Sequence, residues 1–335
     1  MMKSAVIGGG SWGSAFAVHL GRKNIPTRLW IREKDVFEET RKYRENKAFL
    51  PGTVFPSQVD FCLHLEEAVQ DAEAVFIAVP SEFCRNMYQR LKPLLSEDHI
   101  IISLTKGIEN KSLKRMSELL REILGPGFSP RIAVLSGPSF AREVAESHPT
   151  AVVVASEDKS LSQSIQRLVS NPFFRAYSSE DVTGVELAAS VKNVMAIAAG
   201  ISDGLEFGLN SMAALITRGI AELTRLGKTM GARPGTFAGL AGTGDLVLTC
   251  TGKLSRNRYV GYEIGKGKSL KDVLSGMKMV AEGVTTTRSI HELAEKMNIE
   301  MPICEQVYHV LYRKKDPRQA LQELMTRELK EEKLF

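Results

Sequence analysis

Three groups of residues in this chain have the types and spacing to do chemistry. The first lies in AVIGGGSWGSAFAVHL, where Gly8, Gly10 and Gly13 keep a GxGxxG spacing between an apolar strand and an amphipathic helix. Gly8 permits the tight turn, Gly10 lets backbone N–H groups approach a pyrophosphate, and Gly13 lets helix and strand pack closely. The phosphates then sit at the helix N-terminus, so the chemistry expected is dinucleotide binding. A bare GxGxxG is a weak signal, and the βαβ frame is what makes this one specific. About twenty residues further on, the second strand ends LWIRE, where an acid would take the ribose hydroxyls of NAD. Arg32 is the first polar residue there and suits the 2′-phosphate of NADP, while Glu33 keeps NAD open. An ordinary exposed arginine at a strand end accounts for Arg32 equally well.

The second group centres on LAASVKNVMAIAAG, a buried-looking helix with Lys192 in its middle. From Val182 to Ile201 the only charged side chains are Glu186 and Lys192. Val185, Ala188, Ala189, Lys192, Met195, Ala196 and Ala199 recur at helical steps, so Lys192 falls on an apolar stripe. A lysine is almost never fully buried unless something pairs with it or uses it. The plainer alternative is a packed stem with the head in water. The helix alone leaves both open.

The third group sits at strand ends and in a glycine-rich stretch. HIIISLTKG delivers Lys106 just after a strand, and RIAVLSGPSFAREVA ends in a turn of Gly137, Pro138, Ser139, Phe140 and Ala141. Ligands of open α/β sheets lie beyond such carboxyl ends, though a lysine there is often plain surface and Ser-Gly-Pro a plain turn. AGTGDLVLTCTGKLSRNRYVG adds Asp245 and the set Ser255, Arg256, Asn257. A guanidinium fork with neutral donors beside it is what a phosphate needs. Ser255 by itself would be an ordinary helix cap.

The elements that must hold these residues are legible in the pattern. KSAVI, TRLWI, AVFIAV, HIIISL, RIAVL, TAVVVAS and FFRAYSS read as strands alternating with helices, the sign of a parallel α/β sheet. Beyond about residue 181 only helical periodicity remains, with TRELKEEKLF as a solvated helix end. The expected architecture is α/β: a Rossmann-type dinucleotide-binding domain over 1–180 and an all-helical substrate domain over 181–335. At 335 residues, two domains are the natural expectation.

Composition narrows the class. The four cysteines form no CxxC pair and the six histidines no HxxxH cluster, which points to reduced thiols and to no metal site. A net charge of +5 is mild and dispersed, better suited to a phosphorylated small molecule than to nucleic acid. Charged residues interrupt the best membrane-span candidate, and no signal-peptide cleavage pattern follows MMK, so a cytoplasmic protein without stable membrane insertion is expected.

GGGSWGSAFA, LTKGIE, SGPSFAREV, ELAASVKNVMAIAAGISDGL, AGTGDLVLTCTGKLSRNRYVG, VAEGVTTT and MPICEQVY, in that order, closely resemble the bacterial NAD(P)-dependent glycerol-3-phosphate dehydrogenases. The resemblance implies reduction of dihydroxyacetone phosphate to sn-glycerol 3-phosphate with NADP or NAD, feeding phospholipid synthesis. It implies a cofactor site of Ser11, Trp12, Arg32 and Ala141 around the glycine loop, with Lys106 shared between cofactor and substrate. Gly137, Ser139, Lys192, Asp245, Ser255, Arg256 and Asn257 would surround the substrate, and Arg256, Val280 and Glu282 would approach the nicotinamide side. Lys192 would be the proton donor and acceptor, pointing into the cleft between domains. Phe49 in NKAFLPG stands where relatives carry other aromatics. A homodimer is the expected assembly. Two rivals compete: a two-domain NADP-dependent hydroxyacid reductase, which needs no phosphate cradle, and a nucleotide-sensing module, which needs no lysine pair.

Overall fold

The structure, a computed structural model, describes residues 2–277 and 279–332, so Met1 and residues 333–335 at the ends of the two expected domains lie outside the described residues. Eight short strands form one sheet: β1 Ser4–Ile7, β2 Thr27–Trp30, β3 Val59–Cys62, β4 Ala74–Ile77, β5 Ile100–Ser103, β6 Ile132–Ser136, β7 Thr150–Ala155 and β8 Phe174–Ser179. Their spatial order is β3-β2-β1-β4-β5-β6-β7-β8. Ile7 is level with Trp30 and Ile77, and Ile77 with Ser103, so the carboxyl ends of β1, β2, β4 and β5 share one edge.

Helices cover both faces of the sheet, which is why β1 and β4 are buried at every position. Successive residues alternate between two cores. Val6, Leu29, Phe76 and Ile102 meet Phe16 and Leu20 of α1 (Ser11–Arg22) on one side. Ala5, Ile7, Val75, Ile77 and Ile101 meet Met87, Tyr88, Leu119 and Leu120 on the other.

Two features depart from the sequence pattern. β3 is an added edge strand whose four residues, VDFC, are too few to show a period. β7 runs antiparallel to β6, within an otherwise parallel sheet. The connection 137–149 holds one five-residue helix, Ala141–Ala145, and turns the chain back instead of carrying it across the sheet.

The chain divides into two compact units, Met1–Thr105 with Met116–Val182, and Lys106–Arg115 with Thr183–Phe335. No strand occurs among the described residues after Ser179. The long helix α2 (Val182–Gly204) is buried on nearly every side, from Val185 through Ala199. By length and composition it is apolar enough to cross a membrane, and it is buried inside the protein, as a core helix is. The other helices that matter for the site are α3 (Asp245–Thr251), α4 (Arg256–Gly265) and α5 (Glu282–Lys296). α2 and α4 cross at backbone contact: a Cβ on Gly200 would meet Arg258 O at 2.0 Å, and one on Gly261 would meet Ile197 O at 2.0 Å. Only glycine permits that approach. The last helix ends at Met325, so the TRELKEEKLF stretch expected to be a helix end is non-helical through residue 332. Residues 326–332 are exposed and mostly charged, so a further turn has no apolar face to bury.

Candidate active site

In the sheet unit, Gly8 takes φ +124°, and a Cβ there would meet Ala78 O at 2.5 Å. A Cβ on Gly13 would lie 1.9 Å from Gly8 O, so the turn and the start of α1 touch backbone to backbone. Gly10, by contrast, faces open space: its Cβ would meet nothing within 4 Å. It is the N-cap of α1 and no side chain caps that helix. The Trp12 indole N–H is buried there with no hydrogen-bond partner. An open helix N-terminus lined by glycine backbone, with an orphaned donor beside it, fits the pyrophosphate of a dinucleotide.

Asn46 is fully buried and braces this loop, its amide donating to Gly9 O at 2.7 Å and Ser14 Oγ at 2.9 Å. Its Oδ1 accepts the Phe49 N–H at 3.1 Å, so NKAFLPG reaches the glycine loop through Asn46. The sequence reading missed that asparagine. Arg32 is exposed at the end of β2, donates to Glu33 through Nε at 2.9 Å, and stands 6.0 Å from the Phe83 ring. Gly137 and Ser139 share one turn, closed by Ser139 Oγ donating to Gly137 O at 2.8 Å, and Ala141 opens the following helix.

The helical unit gathers the charged residues. Lys192 Nζ lies 2.6 Å from Asp245 Oδ2, and Lys106 Nζ lies 3.0 Å from the same oxygen. Lys192 and Asp245 are almost entirely buried, at 5 % and 2 % side-chain exposure, and Lys106 keeps 15 %. The lysine head therefore does not reach water, which removes the plain packed-stem reading of the sequence. Asp245 starts α3 directly after the Leu240–Gly244 turn, where the helix N-terminus favours its negative charge. One helical turn on, Thr249 Oγ1 accepts from Lys192 at 3.1 Å and donates to Asp245 O. Its i+4 spacing in DLVLT was a readable signal that the sequence analysis did not use.

Burial pulls the Lys192 ammonium down to about 7, against the attraction of Asp245, and the adjacent Lys106 charge acts with burial. Lys192 is thus poised to carry or release a proton near neutral pH. The neighbouring Cys250 thiol is pushed up to about 12 by burial and stays protonated.

Ser255 caps α4 by accepting the Arg258 N–H at 3.2 Å, and Arg256 follows it, exposed, as the first helical residue. Asn257 is buried; its Nδ2 donates to Asn193 Oδ1 at 2.9 Å and its Oδ1 accepts the Gly283 N–H at 2.9 Å. Asn257 therefore joins α2, α4 and α5, and brings Glu282, the first residue of α5, beside the loop that carries Val280. Asn193, next to Lys192, is a second residue the sequence reading passed over. Of the expected site residues, the structure brings Lys106, Lys192 and Asp245 into direct contact. It sets Asn257 against the Gly283 backbone next to Glu282, and it holds the glycine loop, Arg32, Gly137, Ser139 and Ala141 in the sheet unit.

Residues 3–162 match the family described as NAD-dependent glycerol-3-phosphate dehydrogenase N-terminus, and residues 181–322 its C-terminus. A Citrifermentans bemidjiense protein named glycerol-3-phosphate dehydrogenase (NAD(P)+) is 52 % identical, with 98 % of each chain covered. A Syntrophobacter fumaroxidans protein of the same name is 49 % identical over 98 % of this chain and 96 % of its own. A crystal structure of glycerol-3-phosphate dehydrogenase from Coxiella burnetii superimposes with a TM-score of 0.93 at 40 % identity, covering 97 % of this chain and 99 % of that one.

Proposed function

From the premise that this chain belongs to the NAD-dependent glycerol-3-phosphate dehydrogenase family, we propose that Lys192 is its proton donor and acceptor. The chain is an oxidoreductase that reduces dihydroxyacetone phosphate to glycerol 3-phosphate with NAD or NADP. The observation that carries the role of Lys192 is its burial against Asp245 and Lys106, with an ammonium poised near neutral pH.

A dinucleotide, when bound, would supply the hydride for the ketone carbon. Gly8, Gly10, Ser11, Trp12 and Gly13 would hold its pyrophosphate, Arg32 would read the far ribose, and Ala141, Val280 and Glu282 would line the rest of it. As negative charge grows on the ketone oxygen, the Lys192 ammonium stabilises it and then releases one proton to it, leaving a neutral amine that water recharges. Lys106 adds a second positive charge, and Asp245 holds both lysines in place. Ser255, Arg256 and Asn257 bind the phosphate, with Gly137 and Ser139 as further substrate contacts, so binding energy remote from the carbonyl positions it. We assign the dinucleotide-binding domain to residues 1–180 and the helical substrate domain to 181–335, with Gly137, Ser139, Val280 and Glu282 as contacts that each lends to the other's ligand. The enzyme acts in the cytoplasm as a homodimer and supplies glycerophospholipid synthesis. Consumption of NADPH and NADH with dihydroxyacetone phosphate, compared with plain dihydroxyacetone and an unphosphorylated hydroxyacid, tests the reading. Preference for the hydroxyacid would overturn it.

Two contacts carry their own expectations. Arg32→Ala weakens NADPH far more than NADH. A lost charge-assisted contact is worth roughly 1.5–3 kcal/mol, and the exposure of Arg32 places the effect at the lower end. Equal losses for the two cofactors, measured by fluorescence titration, remove Arg32 from the 2′-phosphate. Arg256→Ala raises KM for dihydroxyacetone phosphate strongly and erases most of the preference for the phosphorylated substrate. If discrimination survives, the phosphate binds elsewhere.

A further inference from the structure

Residues 106–115 leave the sheet strand β5 yet belong to the helical unit. They form a closed hairpin. Ile108 bridges Arg115 in antiparallel fashion, the Glu109 N–H donates to Lys114 O at 3.0 Å, and Leu113 turns the chain at φ +58°. Three helices hold it at three points. Lys106, at its start, meets Asp245 of α3 at 3.0 Å. Asn110, at its tip, accepts a hydrogen bond from Ser289 Oγ of α5. Arg115, at its end, donates through Nη1 to Glu186 Oε2 of α2 at 2.7 Å, and both side chains are more than nine-tenths buried.

That last pair calls for a reason beyond stability. Taking two charges out of water costs several kcal/mol per ion, and apolar residues of similar volume commonly serve a fold as well or better. What a buried pair supplies that apolar residues do not is a fixed register. Glu186 stands on the same helix as Lys192, and the Ile108–Arg115 bridge carries the position of Arg115 to within two residues of Lys106.

We propose that the Arg115–Glu186 pair is a positioning device, which locks the hairpin to the lysine helix so that Lys106 stands against Asp245 beside Lys192. The proposal rests on Lys192 being the proton donor. Among the described residues, the groups that face Lys192 include Asp245, Lys106, the Thr249 hydroxyl and the Cys250 thiol. Of these, the Lys106 charge is the one that helps burial hold the Lys192 ammonium down. A loosened hairpin withdraws that charge and lets Lys192 keep its proton to higher pH.

The test is Glu186→Gln, which keeps the shape of the carboxylate and removes its charge. Steady-state reduction of dihydroxyacetone phosphate is measured across pH in the wild-type background and in Lys106→Met. In the wild-type background kcat falls roughly 10- to 100-fold, the scale of a small misplacement of a reacting group. The KM for NADPH moves much less than kcat, Lys106 being one cofactor contact among many, and the decline of the reduction rate with pH moves upward. In Lys106→Met the same substitution changes kcat by less than about twofold, because there is no lysine left to position. Equal losses in the two backgrounds, or an unmoved pH profile, overturn the proposal. The pH profile alone decides it should Lys106→Met turn over too slowly to measure. Where Glu186→Gln fails to melt cooperatively, Asn110→Ala loosens the tip instead and is scored the same way. Wild-type turnover by Lys192→Met would instead break the reading of Lys192, whatever the coupling between Glu186 and Lys106.

Discussion

Lys192→Met is expected to lose at least the 10²- to 10⁴-fold in kcat that roughly belongs to general acid–base catalysis, and more where the ammonium also stabilises the alkoxide. Methionine keeps most of the lysine stem and removes a charge that burial disfavours. Asp245 is left with Lys106 at 3.0 Å, so no carboxylate is stranded. The melting temperature therefore holds or rises. NADPH still binds, since the glycine loop and Arg32 belong to the other unit. The variant also loses a pH signature. Wild-type reduction needs the ammonium and declines as pH climbs through about 7, while oxidation needs the amine and declines as pH drops through the same value. Stopped-flow NADPH oxidation, a cofactor titration and a thermal melt on one preparation are sufficient. Wild-type turnover in a variant that binds NADPH would falsify the catalytic role.

Asp245→Asn carries the second large effect, through charge alone. The carboxylate is the group that opposes burial at Lys192. Without it, burial and Lys106 together depress the Lys192 ammonium below its wild-type value near 7. Each unit of that fall takes the protonated fraction at neutral pH down about tenfold. Reduction of dihydroxyacetone phosphate then has its optimum displaced to lower pH. Removing one partner of a buried pair costs about 3–5 kcal/mol, and the ability of Lys192 to shed its proton sets the loss at the low end.

The stability change has a definite sign. Lys192 has a folded value below its unfolded 10.5, so its burial penalty is complete below the folded value and is relieved as pH rises toward 10.5. The Asn variant has the deeper depression. Its melting-temperature deficit against wild type therefore grows as pH falls below about 7 and stays nearly constant from there into the alkaline range. A wild-type pH profile and a deficit independent of pH would show that Asp245 tunes nothing.

The dinucleotide loop was legible because its requirements are local. Gly8 needs a positive φ and Gly13 needs contact with the Gly8 backbone, and both demands fall on neighbours in sequence. Strands built mainly of apolar residues and helices with a three- and four-residue stripe are local in the same way. So was the presence of Lys192 on an apolar stripe, although the stripe left open whether its head reached water. β3 escaped notice because four residues at an edge carry too little periodicity, and the antiparallel run of β7 depends on how the connection 137–149 packs.

The amino-acid sequence by itself determined the sheet-then-helices order, the glycine cradle and the identity of the charged residues available for chemistry. Hydrophobic period and backbone permission act over a few residues, and the chain spells them out. Only the tertiary structure decided that Lys106, Lys192 and Asp245 share one oxygen, that Asn257 spends its amide on Asn193 and Gly283, and that residues 106–115 join the helical unit. Those pairings join residues far apart in sequence, and the shift of Lys192 toward 7 is a sum over all of its neighbours at once. Burial and charge proximity are properties of the packed chain, and no run of adjacent residues contains them.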